Sequence, residues 1–138
     1  MQASQYLSTR GGMAPVAFSE AVMTGLAPDG GLLVPADLPD VSDRLPDWTG
    51  LPYRELAFEV MHPFTDLAPE ELRGLIDRSY RVFPDEEVAP VVPVGGRYVL
   101  ELFHGPTLAF KDIALQFLGR LFETLLEQSG RELNILAA

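Results

Sequence analysis

The sequence is poor in the side chains that carry most enzyme chemistry. Its 138 residues include no cysteine, one lysine and two histidines. Without cysteine, disulfides, thiol catalysis and cysteine-based zinc sites are excluded, and two histidines are too few for a histidine-rich metal site. The lack of cysteine fits a reducing compartment, and we expect a cytoplasmic protein.

Positive charge is also scarce. The chain has 10 basic and 20 acidic residues, which gives a net charge of −10. This balance repels phosphate backbones and anionic membrane surfaces. No apolar stretch approaches the ~18–20 residues that a membrane helix needs. We therefore expect neither nucleic acid nor membrane as a partner. At 47 % hydrophobic residues the chain should still fold.

The first half of the chain predicts short strands joined by tight turns, and then two helices. Adjacent glycines in the segment 27–31 indicate a turn, and the proline-rich segment 35–52 indicates a surface loop anchored by Trp48. The predicted elements are a strand at 5–9, a helix at 20–25 with Ser19 as its N-cap, a buried strand at 32–34, and helices at 53–61 and 69–80.

The second half predicts a hairpin and then the strongest helix of the chain. Gly95 and Gly96 separate two β-rich runs within residues 91–103, which is typical of a two-residue hairpin turn. Apolar residues recur at helical spacing over residues 110–128, and Gly130 ends that pattern. A β-like run begins at Leu133. Strand, helix and strand in this order predict the start of a parallel sheet.

The only lysine, Lys111, lies where the loop enters that long helix. A lysine amine can lose its proton and form a Schiff base with a carbonyl compound, whereas the nine arginines cannot. The positive end of the helix dipole favours the neutral amine, and we expect Leu108, Ala109 and Phe110 to desolvate it. A solvated surface charge is the ordinary alternative, since most lysines are exposed.

Four segments of the sequence resemble threonine synthases, pyridoxal-phosphate enzymes of the tryptophan-synthase-β-like fold. Residues 104–112 (HGPTLAFKD) are similar to the lysine motif of that family. Residues 6–11 and 18–35 are similar to its N-terminal segment, and so are residues 51–57. The similar segments span nearly the whole chain in the expected order, which makes the resemblance far more specific than a lone motif.

The resemblance implies an α/β fold in two parts. Residues 1–90 correspond to the α+β N-terminal domain of the family, and residues 91–138 to the beginning of its parallel-sheet catalytic domain. It also implies a lyase of threonine biosynthesis that converts O-phospho-L-homoserine and water to L-threonine and phosphate. Lys111 would hold pyridoxal 5′-phosphate through a Schiff base. His104 and Thr107 are candidate cofactor contacts, and Thr107 could instead cap the helix.

Threonine synthases are much longer than this chain, so we expect an N-terminal fragment that is inactive alone. The 138 residues contain no glycine-rich phosphate cradle. We expect the apolar face of helix 110–128 to drive self-association, or else poor order after about residue 104, because burying each large side chain is worth roughly 1.5–3 kcal/mol. Two alternatives stay open: a non-catalytic binding or regulatory module, and another lyase of the same fold type, such as a cysteine-synthase-like enzyme.

Overall fold

The computed structural model describes residues 4–134. Contacts within the backbone divide the chain into two compact units, Met1–Arg73 and Gly74–Ala138. The boundary predicted at residue 90 divides the chain by its resemblance to a family, whereas these units are defined by compactness. The predicted boundary therefore stays a prediction.

The first unit contains a two-stranded antiparallel sheet. Strand β1 (Tyr6–Ser8) pairs with β2 (Leu33–Pro35), close to the predicted positions. The prediction of a buried strand at 32–34 is wrong, because Leu32 is 63 % exposed and Val34 is 40 % exposed. Side chains of a strand alternate between two faces, and this sheet buries neither face completely.

The turn between 27 and 31 forms as predicted, and one carboxylate ties it to β1. Gly30 has a φ of +77°. Asp29 accepts hydrogen bonds from the Ser8 hydroxyl at 2.7 Å and from the N–H groups of Gly31 at 2.8 Å and Gly12 at 2.7 Å. The bond from Ser8 and those from the backbone hold the pKa of Asp29 below its usual value.

Helix α1 (Phe18–Thr24) begins before Ser19, so the predicted N-cap is wrong. The Ser19 N–H and hydroxyl donate to the Asp66 carboxylate at 3.2 and 2.6 Å. A carboxylate at a helix start satisfies free N–H groups and suits the helix dipole. The stabilising group therefore comes from a residue distant in sequence. Gly25 ends the helix as predicted, with a φ of +70°.

The proline-rich segment is not entirely a loop, which corrects the prediction for residues 35–52. It contains a 3₁₀ turn (Ser42–Arg44) and the short helix α2 (Leu45–Trp48). Proline is compatible with the first turn of a helix, where its missing N–H has no partner to lose. The Arg44 guanidinium lies over the Trp48 ring, 5.0 Å from its centroid, which is a cation–π contact.

Helices α3 (Tyr53–Met61) and α4 (Pro69–Tyr80) have the predicted bounds. A 3₁₀ turn, His62–Phe64, follows α3. The His62 ring stacks on Phe58 with centroids 5.0 Å apart, so His62 has a packing role at the end of α3. The apolar side chains buried in the described part of this unit are Ala21, Ala27, Phe58, Leu67 and Leu72.

The second unit contains the predicted hairpin. Strands β3 (Val91–Val94) and β4 (Arg97–Leu100) pair antiparallel. Gly95 and Gly96 form the turn with φ values of +55° and +78°. Both strand pairs within residues 4–134 are antiparallel. The strand predicted to begin at Leu133 falls mainly on residues 135–138, which lie outside the described part of the chain.

Helix α5 (Asp112–Ser129) is the longest element, and it begins two residues later than predicted. Gly130 ends it in the left-handed conformation with a φ of +63°. Phe117, Leu121 and Leu125 are buried. The Tyr80 hydroxyl donates to the Ile113 carbonyl at 3.2 Å. The predicted apolar stripe is therefore only partly buried, and Phe110 is 65 % exposed.

Candidate functional site

The loop between β4 and α5 makes a tight turn just before Lys111. The Leu108 N–H donates to the Gly105 carbonyl at 3.0 Å. Leu108 has a φ of +60°, which is an uncommon conformation for a residue with a Cβ. Backbone strain of this kind persists only where the surrounding structure holds it. The contacts of Asp112 provide that support.

Asp112, the first residue of α5, is only 2 % exposed. Its carboxylate accepts hydrogen bonds from the Thr107 N–H at 2.7 Å and the Thr107 hydroxyl at 2.9 Å. Burial by itself raises the pKa of this carboxyl, but the bonds from Thr107 and Gln116 outweigh burial and hold the pKa below its usual value. Asp112 is therefore an ionised carboxylate that fastens the loop to the helix start.

Gly105 is the third member of this arrangement. A Cβ placed on Gly105 would lie 2.7 Å from Cγ of Asp112 and would overlap its Cβ. Real Cβ atoms essentially never come this close to another heavy atom. The loop and the helix start therefore touch through the glycine backbone, and only glycine fits this position without a shift.

Lys111 is the residue that immediately precedes α5. Its backbone is helical, with φ −61° and ψ −24°, and its carbonyl accepts the N–H groups of Ala114 and Leu115. Within residues 4–134 its amine forms neither a hydrogen bond nor an ion pair. The side chain is exposed, and it projects from a backbone that the helix holds fixed.

The expected desolvation of this amine by its apolar neighbours does not occur. Leu108 is 74 % exposed and Phe110 is 65 % exposed. The reason is local geometry. The left-handed conformation at Leu108 folds the loop back onto Asp112, and α5 buries the separate row of Phe117, Leu121 and Leu125.

His104 and Thr107 each contact a carboxylate. The His104 ring bonds through Nε2 to Glu101 at 2.7 Å and stacks on Phe103 with centroids 4.7 Å apart. Thr107 donates to the side chain of Asp112 and does not cap a helix N–H. The structure thus joins Thr107 to Asp112 and His104 to Glu101, but neither candidate contacts the Lys111 amine.

An open cavity of about 610 Å³ lies beside His104. Its lining includes three acidic side chains, so it disfavours a phosphate group. The first N–H groups of α5 are also engaged, since Asp112 donates to Ala109 and Ile113 to Phe110. Neither this cavity nor the start of α5 therefore provides a phosphate cradle. The cavity is lined by Pro84, Asp85, Glu86, Glu87 and His104.

Sequence reasoning did not identify Gly105 and Asp112 as a unit. The Asp112 carboxylate accepts a hydrogen bond from Thr107 in the loop. The available signal was the spacing, because a carboxylate that begins a helix five residues after a threonine can reach back across a tight turn.

No group of three or more potential metal ligands occurs within residues 4–134. Among those residues, no helix combines the length and the apolar character needed to cross a membrane.

Comparison with known proteins identifies the family. The family model described as threonine synthase N terminus matches residues 5–80. Threonine synthase from Pseudomonas aeruginosa is 46 % identical over 97 % of this chain, which covers 29 % of that protein. The Schizosaccharomyces pombe enzyme is 50 % identical over 91 % of this chain, which covers 25 % of that protein. The chain thus spans between a quarter and a third of the length of these relatives.

Solved structures agree with the sequence comparisons. The crystal structure of pyridoxal-phosphate-bound threonine synthase from Brucella melitensis superposes with a TM-score of 0.89 and 38 % identity. That match covers 94 % of this chain and 29 % of the Brucella chain. The α/β fold class is thereby confirmed, as is the resemblance inferred from the motifs. These 138 residues belong to the threonine synthase family and correspond to its N-terminal part.

Proposed function

We propose that the chain serves as the N-terminal part of a pyridoxal-phosphate-dependent lyase with threonine synthase activity. The reaction would convert O-phospho-L-homoserine and water to L-threonine and phosphate. The observation that carries the proposal is the position of Lys111. The only lysine of the chain stands exposed at the start of an 18-residue helix, inside the segment that resembles the family's lysine motif.

Lys111 is the residue proposed to attach the cofactor. Its amine is without a partner among residues 4–134, so no protein contact has to break before the amine meets an aldehyde. When bound, pyridoxal phosphate supplies an electron sink for carbanion chemistry. The contribution of this chain is to hold the amine on a fixed helix start and to present it to the aldehyde.

His104 and Thr107 are proposed as further cofactor contacts. The Thr107 hydroxyl donates a hydrogen bond to Asp112, so its oxygen can still accept one from another group. His104 uses Nε2 for Glu101 and keeps Nδ1 for another partner. Each residue can therefore contact a cofactor while it retains its carboxylate.

The 138-residue chain is proposed to be inactive alone. Neither the start of α5 nor the cavity beside His104 provides a phosphate cradle, because the helix-start N–H groups are engaged and the cavity is acidic. The partner of the whole enzyme is a small molecule, O-phospho-L-homoserine. A cytoplasmic location belongs to the same proposal and agrees with the lack of cysteine.

Reductive trapping tests the role of Lys111. The amine nitrogen bonds to the aldehyde carbon with loss of water, and hydride from borohydride then reduces the product to a stable secondary amine. The chain has two kinds of amine, Lys111 and the N-terminus. We expect peptide mass spectrometry to find the label on the peptide that contains Lys111. The Lys111→Arg variant keeps the positive charge and should lose this label completely.

The outcomes separate the candidate functions. A label confined to the N-terminal amine would favour a non-catalytic module. Release of phosphate from O-phospho-L-homoserine by the 138-residue chain would contradict the proposal that its site is incomplete. The family match over residues 5–80 favours threonine synthase over other lyases of this fold type, because those residues precede the lysine motif.

Self-association through helix 110–128 is also proposed. Leu115 in this segment is 52 % exposed and Phe110 is 65 % exposed. Burial of such side chains between two copies would stabilise a complex. We expect the sedimentation coefficient to rise with concentration, and Leu115→Glu to abolish the rise. Leu32→Glu, at a 63 % exposed leucine in the first unit, is the matched control. A monodisperse monomer at every concentration would exclude this proposal.

A further inference from the structure

We infer that Asp112 is a positioning residue for Lys111: by fastening Thr107 to the start of α5, its carboxylate fixes the backbone from which the amine projects. The inference rests on the proposed function of Lys111 as the attachment residue. It concerns a residue that bonds to the loop rather than to the reacting amine.

The direction of the hydrogen bonds supports this role. Thr107, which lies in the loop, donates two hydrogen bonds to the Asp112 carboxylate. Its N–H lies at 2.7 Å and its hydroxyl at 2.9 Å. A carboxylate that caps a helix would instead accept N–H groups of the first helical turn. The Asp112 side chain therefore joins two segments that are otherwise separated by the strained residue Leu108.

Burial and packing support the same role. Asp112 is 2 % exposed, and a buried carboxylate is tolerated only where hydrogen bonds satisfy it. The close approach of Gly105 to Cβ and Cγ of Asp112 leaves the side chain little freedom to move. Loop and helix start consequently behave as one rigid piece, with Lys111 inside it.

Asp112 does not act as a charge partner of the amine. Within residues 4–134, Lys111 forms no ion pair, and the carboxylate oxygen that accepts from Thr107 is turned toward the loop. Removal of Asp112 should therefore alter the order of the Lys111 backbone rather than remove a bond to its amine.

Lysine-selective isotope labelling gives a direct test by NMR, because the chain contains one lysine and its backbone amide yields one NMR signal. We expect a backbone order parameter of about 0.85 for Lys111 in the unaltered chain and below about 0.6 in Asp112→Ala. The amide of Thr107 should lose protection against hydrogen exchange by about tenfold or more, since a charge-assisted bond is lost. Asp112→Asn keeps an acceptor and should fall between the two.

Asp29→Asn is the matched control. Asp29 also accepts a serine hydroxyl and backbone N–H groups, but it belongs to the first unit. This variant should destabilise its own turn and leave the Lys111 signal unchanged. An unchanged order parameter in Asp112→Ala would overturn the inference, and so would an equal loss in Asp29→Asn.

Reductive trapping adds a readout that general destabilisation does not move. In Asp112→Ala the pyridoxal phosphate concentration for half-maximal label at Lys111 should rise about tenfold, while label at the N-terminal amine stays constant. An equal change at both amines would overturn the positioning role. If Lys111 of the unaltered chain takes no label, the proposed function fails, and the order parameter alone then decides whether Asp112 fixes the Lys111 backbone.

Discussion

Replacement of Gly105 by alanine is expected to break the loop that precedes Lys111. The new methyl group would lie 2.7 Å from Cγ of Asp112 and overlap its Cβ, so either the loop or the helix start has to move. Overpacking of this kind costs roughly 1–3 kcal/mol. Movement of the loop also removes the charge-assisted bonds from Thr107 to Asp112. We expect a lower melting temperature and faster exchange of the Thr107 amide.

Gly119→Ala is the control for this substitution. Gly119 lies inside α5, and a Cβ placed there would meet no heavy atom within 4 Å apart from its neighbours and the backbone of its own helix. Alanine is the better helix former by roughly 0.8–1 kcal/mol, so this variant should be more stable than the parent chain. The same chemical change thus has opposite effects at two glycines of one unit. Equal melting temperatures for the two variants would refute the close contact at Gly105.

Local sequence signals were enough to place the longer helices. Pro69 and the acidic residues after it mark the start of α4, and the His62–Pro63 pair marks the end of α3. The hairpin followed from Gly95 and Gly96 in the same way. These signals act within a few residues, so they can be read from the local sequence alone.

The errors arose where distant residues decide the structure. Asp66 stabilises the start of α1, and a reader of the local sequence assigns that role to Ser19. Within the helical turns at 42–48, Arg44 contacts Trp48 and also forms an ion pair with Glu59, which lies further along the chain. No periodic pattern in a proline-rich segment reports such contacts.

The candidate site divides in the same manner. Lys111 could be identified because the chain has one lysine and because its neighbours match a family motif. The role of Asp112 could not, since it depends on a contact between its side chain and the loop residue Thr107. The expected desolvation of Lys111 was wrong, because apolar neighbours in sequence do not guarantee burial when the loop folds back on itself.

Leu121→Ala is expected to cause a large loss of stability through α5. Leu121 is 1 % exposed, and truncation of a buried leucine typically costs 2–5 kcal/mol through lost transfer energy and the cavity left behind. Small domains have a total stability of about 5–15 kcal/mol. The variant should therefore unfold at a clearly lower temperature and denaturant concentration, as followed by circular dichroism.

Leu115→Ala provides the comparison on the same helix. Leu115 is 52 % exposed, and leucine and alanine have similar helix propensities. The free energy of unfolding should change by no more than about 0.5 kcal/mol, measured at concentrations low enough to exclude self-association. Because the two substitutions remove the same atoms from one helix, their difference isolates burial. Equal losses would mean that α5 does not pack through Leu121, and the unit's core would then need a different assignment.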